Sequence, residues 1–60
     1  MAVWEIYLVT LNETKISIFD SSKNVYVYQG INADIPLECL KCDILNVTVG
    51  NNSDLKITIW

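Results

Sequence analysis

The stretch from Gly30 to Asp43 divides this 60-residue chain into two strand-like parts. It contains the only proline, Pro36, and both cysteines. On either side of it, β-branched, aromatic and aliphatic residues alternate with polar ones, which is typical of β-strands. A chain this short forms at most one domain. We therefore expect residues 1–60 to form a single small domain in which paired strands flank the central stretch.

Five segments are predicted to be strands, three before the central stretch and two after it. They are residues 2–11, 15–19, 25–29, 44–49 and 55–60. Clusters of polar turn residues separate the second segment from the third and the fourth from the fifth, which predicts two hairpins. The first segment, AVWEIYLVTL, is apolar on both faces. Such a strand is either central in its sheet or covered by a second subunit.

Two of these segments predict which side chains share a face. In the third segment, VYVYQ, strict alternation predicts Val25 and Val27 on one face and Tyr26 and Tyr28 on the other. In the second hairpin, the residues predicted to point inward are Leu45, Val47, Val49, Leu55, Ile57 and Ile59.

The central stretch favours one short helix near residues 35–42. Asp34 suits the N-cap, and Pro36 is tolerated in a first turn, where amides have no intrahelical acceptor. At 100° per residue the segment has one apolar stripe with its charged residues pointing away. The stripe consists of Ile35, Cys39 and Cys42. The predicted fold class is α+β, mainly β, with an antiparallel-leaning sheet of about five strands in two hairpin units and one short helix.

The charge of the chain argues against nucleic-acid binding. It has four lysines, no arginine, no histidine and seven acidic residues, for a net charge of −3. Phosphate contacts come chiefly from clustered lysine and arginine, so we expect no direct nucleic-acid partner. The acidic residues are scattered singly and do not imitate a phosphate backbone.

The start of the chain lacks the pattern of a secretion signal, and no apolar run approaches the roughly 18 residues of a membrane helix. We expect a soluble cytoplasmic protein with no membrane partner. Three N-glycosylation triplets, beginning at Asn12, Asn46 and Asn51, point weakly towards secretion instead.

Cys39 and Cys42 form a CxxC motif with three interpretations. A structural zinc site needs four ligands, so one pair suffices only if two subunits share the metal in a zinc-bridged dimer. A redox CxxC normally opens a helix after a strand, whereas this pair lies late in a short predicted helix. The third interpretation is that both are small buried thiols on the inward stripe. We favour buried thiols, and therefore predict no metal and no cofactor.

Five aromatic residues are the candidate binding residues. They are Tyr7, Phe19, Tyr26, Tyr28 and Trp60. If the first three strands form a meander, most of them share one sheet face. Such a face suits a self-interface, a protein partner, or a carbohydrate or other flat ligand, and it also suits a second core layer.

Catalytic groups are scarce in this sequence. The serines have no imidazole base, and no glycine-rich phosphate loop is present. We expect a non-enzymatic interaction module, an adaptor or inhibitor of a protein partner, whose small size and acidity would suit an accessory protein of a phage or mobile element acting on a host protein. A 60-residue core is marginal alone, so we also expect a homodimer. The alternative is a carbohydrate- or small-ligand-binding module that uses the aromatic face.

Overall fold

The computed structural model of the chain describes all 60 residues. Its elements in chain order are helix α1 (Val3–Val9), strand β1 (Lys15–Asp20), strand β2 (Val25–Ile31), a 3₁₀ turn (Asn32–Asp34), helix α2 (Leu37–Leu40), strand β3 (Ile44–Val49) and strand β4 (Leu55–Ile59). The fold is α+β and mainly β, as predicted. It has four strands, and the prediction of five is wrong.

The difference lies in the first segment, which is a helix. Val3, Ile6 and Tyr7 follow the i, i+3, i+4 spacing of one helix face, and all three pack against the core. At the N-terminus the Glu5 carboxylate accepts a hydrogen bond from the Ala2 amide over 3.1 Å. A two-turn helix has little stability of its own, so packing against the sheet decides its conformation.

Asn32 holds the C-terminal end of α1. Its side chain is fully buried, and its Nδ2 donates to the carbonyl oxygens of Tyr7 and Thr10, both at 3.1 Å. The last carbonyls of a helix have no intrahelical donor, so this amide satisfies two of them. The Asn32 Oδ1 is buried without a hydrogen-bond partner. Since Asn32 directly follows β2, these bonds tie the helix to the sheet.

The sheet is mixed, with the strand order β2-β1-β4-β3. The two predicted hairpins are present as the antiparallel pairs β1/β2 and β3/β4. The central pair β1/β4 is parallel, with Ile18 opposite Ile57, so the antiparallel prediction fails there. The reason is the central stretch, which carries the chain from one edge of the sheet to the other. A parallel pair requires such a crossover.

One face of the sheet carries the core beneath the helices. Its seven buried apolar side chains are Val3, Ile16, Ile18, Ile35, Cys39, Ile57 and Ile59. The other face is covered by no helix. In the second hairpin, Ile57 and Ile59 are buried as predicted, whereas Leu45, Val47 and Val49 are exposed. The helical layer therefore does not reach the outer edge of β3.

Helix α2 is shorter than the predicted helix. Pro36, and not Asp34, occupies its N-cap position. Ile35 is extended, because a residue before proline avoids the helical region, and the helix therefore starts two residues later, at Leu37. Cys39 is buried and Cys42 is half-buried, while the charged residues of the segment are exposed, as the stripe predicted.

Both edge strands contain an irregularity that alternation does not reveal. In β2, Ile18 pairs with Tyr28 but Phe19 pairs with Tyr26, which leaves Val27 without a partner. In β3 the register shifts at Leu45. An extra residue of this kind reverses the faces of the side chains on either side of it.

Candidate functional site

The predicted aromatic face is divided between the two faces of the sheet. Phe19 and Tyr26 lie on the open face, with ring centroids 5.0 Å apart in an edge-to-face arrangement at 71°. Tyr28 packs against the core on the opposite face, and its hydroxyl donates to the Ile31 carbonyl over 2.6 Å. The prediction that Tyr26 and Tyr28 share a face is wrong because Val27 is the unpaired bulge residue.

The other two candidate aromatics make no ring contact with this pair. Tyr7 lies on α1 and packs against the core. Trp60 follows β4 and is largely exposed. Of the five predicted residues, only Phe19 and Tyr26 are in ring contact.

The open face has one further feature, which is Lys56. Its Nζ lies 5.2 Å from the Phe19 ring centroid and 5.6 Å from that of Tyr26, within the range of a cation–π contact. Apart from Lys15 and Ile31 at one end, the side chains that the strand register places on the same face are hydroxyl and amide groups. They are Ser17, Gln29, Asn46, Thr48 and Thr58. The open face is thus polar, with two rings that a lysine ammonium already covers.

The cysteines are free thiols in different surroundings. Cys39 belongs to the core, whereas the Cys42 Sγ is 3.4 Å from the Glu38 carbonyl oxygen. Burial, with smaller contributions from Cys42 and Glu38, raises the pKa of the Cys39 thiol. A raised pKa disfavours the thiolate that redox and metal chemistry require. The buried-thiol interpretation fits Cys39 fully and Cys42 in part, and no three histidine, cysteine or acidic side chains cluster as metal ligands.

The one depression in the surface is formed by four consecutive residues. Residues 11–14 line a volume of about 510 Å³. Ligand pockets bring together polar groups from several elements within an apolar lining. A depression lined by a single turn lacks this convergence, so it does not define a ligand site.

The outward half of α1 is the feature that the strand prediction missed. Trp4 is 48% exposed, Leu8 66% and Val9 82%, and Glu5 is the only polar side chain among them. Two further apolar residues, at positions 1 and 11, are exposed at the two ends of the helix. A helix that is apolar on all sides is normally buried. In the sequence, the i, i+4 spacing of Trp4 and Leu8 was the signal that could have indicated this helix face.

Five apolar side chains are exposed on α1 and at its two ends, at positions 1, 4, 8, 9 and 11. Together they expose on the order of 500 Å² of apolar surface. We call this set the α1 surface. The largest apolar patch on a typical monomer measures about 300–600 Å² and often has a function. The α1 surface is therefore large for a chain of this size.

Comparison with protein-family models, with curated protein sequences and with solved structures finds no significant match for this chain. Neither of its helices has the length and apolar character needed to cross a membrane.

Proposed function

We propose that this chain is a non-enzymatic protein-interaction module, an adaptor or inhibitor, that binds a protein partner through the α1 surface. The observation that carries the proposal is the outward half of α1, where Trp4, Leu8 and Val9 are exposed around a single polar residue. An apolar helix face that fits a groove in a partner is a common mode of protein recognition.

The inner half of α1 makes this surface suitable for binding. Val3 is fully buried, and the side chain of Asn32 fixes the other end of the helix. The outer side chains are thus presented on a helix that is already formed, which lowers the entropy lost on binding. Tryptophan is enriched among the residues that dominate binding energy. Burying the exposed part of Leu8 would contribute about 1–2 kcal/mol.

The two thiols support a location inside the cell. Cys39 and Cys42 are both free. Free thiols persist in reducing compartments, while small secreted domains commonly depend on disulfides.

A matched pair of variants tests the proposal. Leu8 on α1 and Leu37 on α2 are exposed to nearly the same extent, 66% and 65%. Wild type, Leu8→Lys and Leu37→Lys are each immobilised and exposed to lysate of the cells that express the chain. We expect a protein partner at near-equal stoichiometry with wild type and Leu37→Lys, and at least about tenfold less with Leu8→Lys, since a lysine cannot enter an apolar groove without losing hydration.

Circular dichroism of each variant controls for folding. Recovery of the same proteins with Leu8→Lys as with wild type would contradict the α1 surface as the binding site. The absence of any stoichiometric protein would contradict the interaction module itself.

A second candidate function uses the open sheet face, where Phe19 and Tyr26 lie among hydroxyl and amide side chains. Aromatic rings bordered by such groups are suited to carbohydrates or other flat ligands. A glycan array, with Tyr26→Ala as the control, tests it. Binding that Tyr26→Ala abolishes would support this candidate, and silence of the array would remove it.

A further inference from the structure

The outer edge of β3 is only partly covered. At its start the Ile44 amide donates to the Met1 carbonyl oxygen over 2.7 Å, and Ala2 forms an antiparallel bridge with Asp43. The N-terminal segment then leaves the edge to form α1. Residues 45–49 pair with β4 on the inner side and with no segment on the outer side. Five consecutive residues of backbone are thus free to pair.

Of the features that usually protect edge strands, this free edge has only the bulge at Leu45, which lies at the start of the free span. β3 contains no charged residue and no proline. Val47 and Val49 lie opposite Ile57 and Leu55, on the helix-bearing face, but are exposed because the helices do not reach them. Leu45 is exposed as well.

The opposite edge strand, β2, also has no partner on its outer side, but its bulge at Val27 interrupts the middle of the strand and the apolar layer beside it is complete. The Tyr28 side chain lies across Gly30, so close that a Cβ atom at Gly30 would be 2.6 Å from the hydroxyl oxygen. The same hydroxyl donates to the Ile31 carbonyl. Tyr28 thereby completes the apolar layer at β2, whereas no side chain does so at β3.

We infer that β3 pairs with β3 of a second copy of this chain, antiparallel and across a two-fold axis at Val47, to form a continuous eight-stranded sheet. The free span fixes the register. Its midpoint is Val47, so pairing over the whole span places Leu45 opposite Val49 of the second copy. Gly50 of the second copy then lies opposite Ile44, where Met1 already occupies the edge.

The side chains are self-complementary in this register. Val47 meets its own counterpart on the helix-bearing face, and Asn46 meets Thr48 on the open face, so apolar pairs with apolar and polar with polar. A shift of one residue would put the helices of the two copies on opposite faces of the sheet. The two-fold arrangement keeps both helical layers on one side.

The extent of the contact sets its strength. Three exposed apolar side chains and five residues of backbone per copy bury on the order of 400 Å² on each side, below the standard size of a stable interface. We therefore expect a reversible dimer with a dissociation constant on the order of 10–100 μM.

Sedimentation equilibrium of the full chain, from about 10 μM to about 1 mM, tests the dimer and brackets this constant. Val47→Lys puts two like charges opposite each other at the axis and is expected to weaken association at least about tenfold. Val27→Lys is the matched control, because Val27 is 39% exposed and Val47 36%, on opposite edges of the sheet. We expect Val27→Lys to dimerise as wild type does.

A cysteine placed at the axis tests the register, and it does not depend on the folding of Val47→Lys. Directly opposite Cβ atoms lie about 4.5–5.5 Å apart, close to disulfide geometry, so Val47→Cys should cross-link readily under mild oxidation. Thr48→Cys, whose opposite residue is Asn46, should cross-link at least about tenfold more slowly. Wild type, oxidised in parallel, measures any contribution of the native thiols.

Three results would overturn the inference: a wild type that remains monomeric throughout, equal loss of association in the two lysine variants, or equal cross-linking of the two cysteine variants. Leu8→Lys, which alters the α1 surface, should leave the dimer unchanged. Failure of the dimer and failure of the proposed partner site are therefore distinguishable.

Discussion

Replacing Asn32 by leucine is expected to destabilise the fold by about 0.5–2.5 kcal/mol. The substitution preserves the branching and the number of heavy atoms of the side chain but removes the Nδ2 group, which donates to two carbonyl oxygens at the end of α1. Without it the Thr10 carbonyl has no donor, which costs about 1–3 kcal/mol, whereas the Tyr7 carbonyl keeps the Thr10 amide at 3.5 Å and loses one hydrogen bond worth about 0.5–1.5 kcal/mol. The unpaired Oδ1 is removed as well, which returns about 1–2 kcal/mol.

This loss is large relative to the whole stability of the domain. At about 0.05–0.15 kcal/mol per residue, a chain of this length has roughly 3–9 kcal/mol in total. Urea denaturation followed by far-UV circular dichroism measures the change. Asn12→Leu is the control, because Asn12 is exposed, and it should remain within about 0.5 kcal/mol of wild type. Asn32→Leu within the same limit would refute the role of the amide.

Asn32→Asp separates the missing donors from a change of shape. The carboxylate faces two carbonyl oxygens in a fully buried site, so we expect its folded-state pKa to be raised above the unfolded value. The destabilisation relative to wild type is therefore present near neutral pH. It should diminish as the pH falls to about 4 and below, where protonation restores one donor. A difference from wild type that is independent of pH would contradict this account.

Substitutions at Asp20 and Gly30 and a thiol-labelling experiment test other contacts. Hydrogen bonds from the Ser22 hydroxyl and nearby amides lower the pKa of Asp20 below 3.8. The contribution of Asp20 to stability is therefore complete above that pH and is lost as the pH falls towards the folded-state pKa. Asp20→Asn should flatten this part of the plot of urea midpoint against pH, and an unchanged plot would count against this role. Gly30→Ala should lower the free energy of unfolding by about 1–2 kcal/mol, since its Cβ would meet the Tyr28 hydroxyl at 2.6 Å. In a double-mutant cycle, the same substitution should lower stability less in Tyr28→Phe than in wild type, because the hydroxyl is absent. A thiol reagent should modify Cys42 rapidly and Cys39 only on unfolding, so equal rates would contradict the burial of Cys39.

The hairpins were predictable because their signals are local. Alternation within each strand and polar turns between strands identify the pairs β1/β2 and β3/β4. The parallel pairing of Ile18 with Ile57 depends instead on where the crossover places the second hairpin. No residue within either hairpin encodes that placement, so the strand order did not follow from the pattern.

The aromatic site failed for a different reason. A bulge adds one residue to a strand without changing the alternation of the sequence. Val27 looks like any other valine in VYVYQ, yet it moves Tyr26 and Tyr28 to opposite faces. A site prediction that relies only on the alternation of side chains between two faces therefore fails wherever an edge strand contains a bulge.

Helix α1 shows a conflict between local preference and tertiary structure. Its β-branched and aromatic residues favour a strand, and the chain nevertheless also contains the helical spacing of Val3, Ile6 and Tyr7. The helix is selected by contacts with distant residues, which are its packing against the sheet and the hydrogen bonds from the Asn32 amide. The mistaken strand concealed the α1 surface, because a strand assigns Trp4 and Leu8 to the same face as Ile6, which in the helix packs against the core.

The two proposed interfaces have one physical cause. Hydrophobic residues make up 52% of the chain, but the core buries only seven apolar side chains because two short helices cover one face of four strands. The excess lies on the outside of α1 and along β3. In the two-fold dimer both α1 surfaces lie on the same side of the continuous sheet, so the dimer presents two copies of the partner site. It would therefore bind a partner with repeated sites more tightly than a monomer does. Val47→Lys should then weaken binding to a partner that is immobilised at high density, while binding to the same partner in dilute solution stays unchanged. An equal effect on both would show that the two interfaces are not separate.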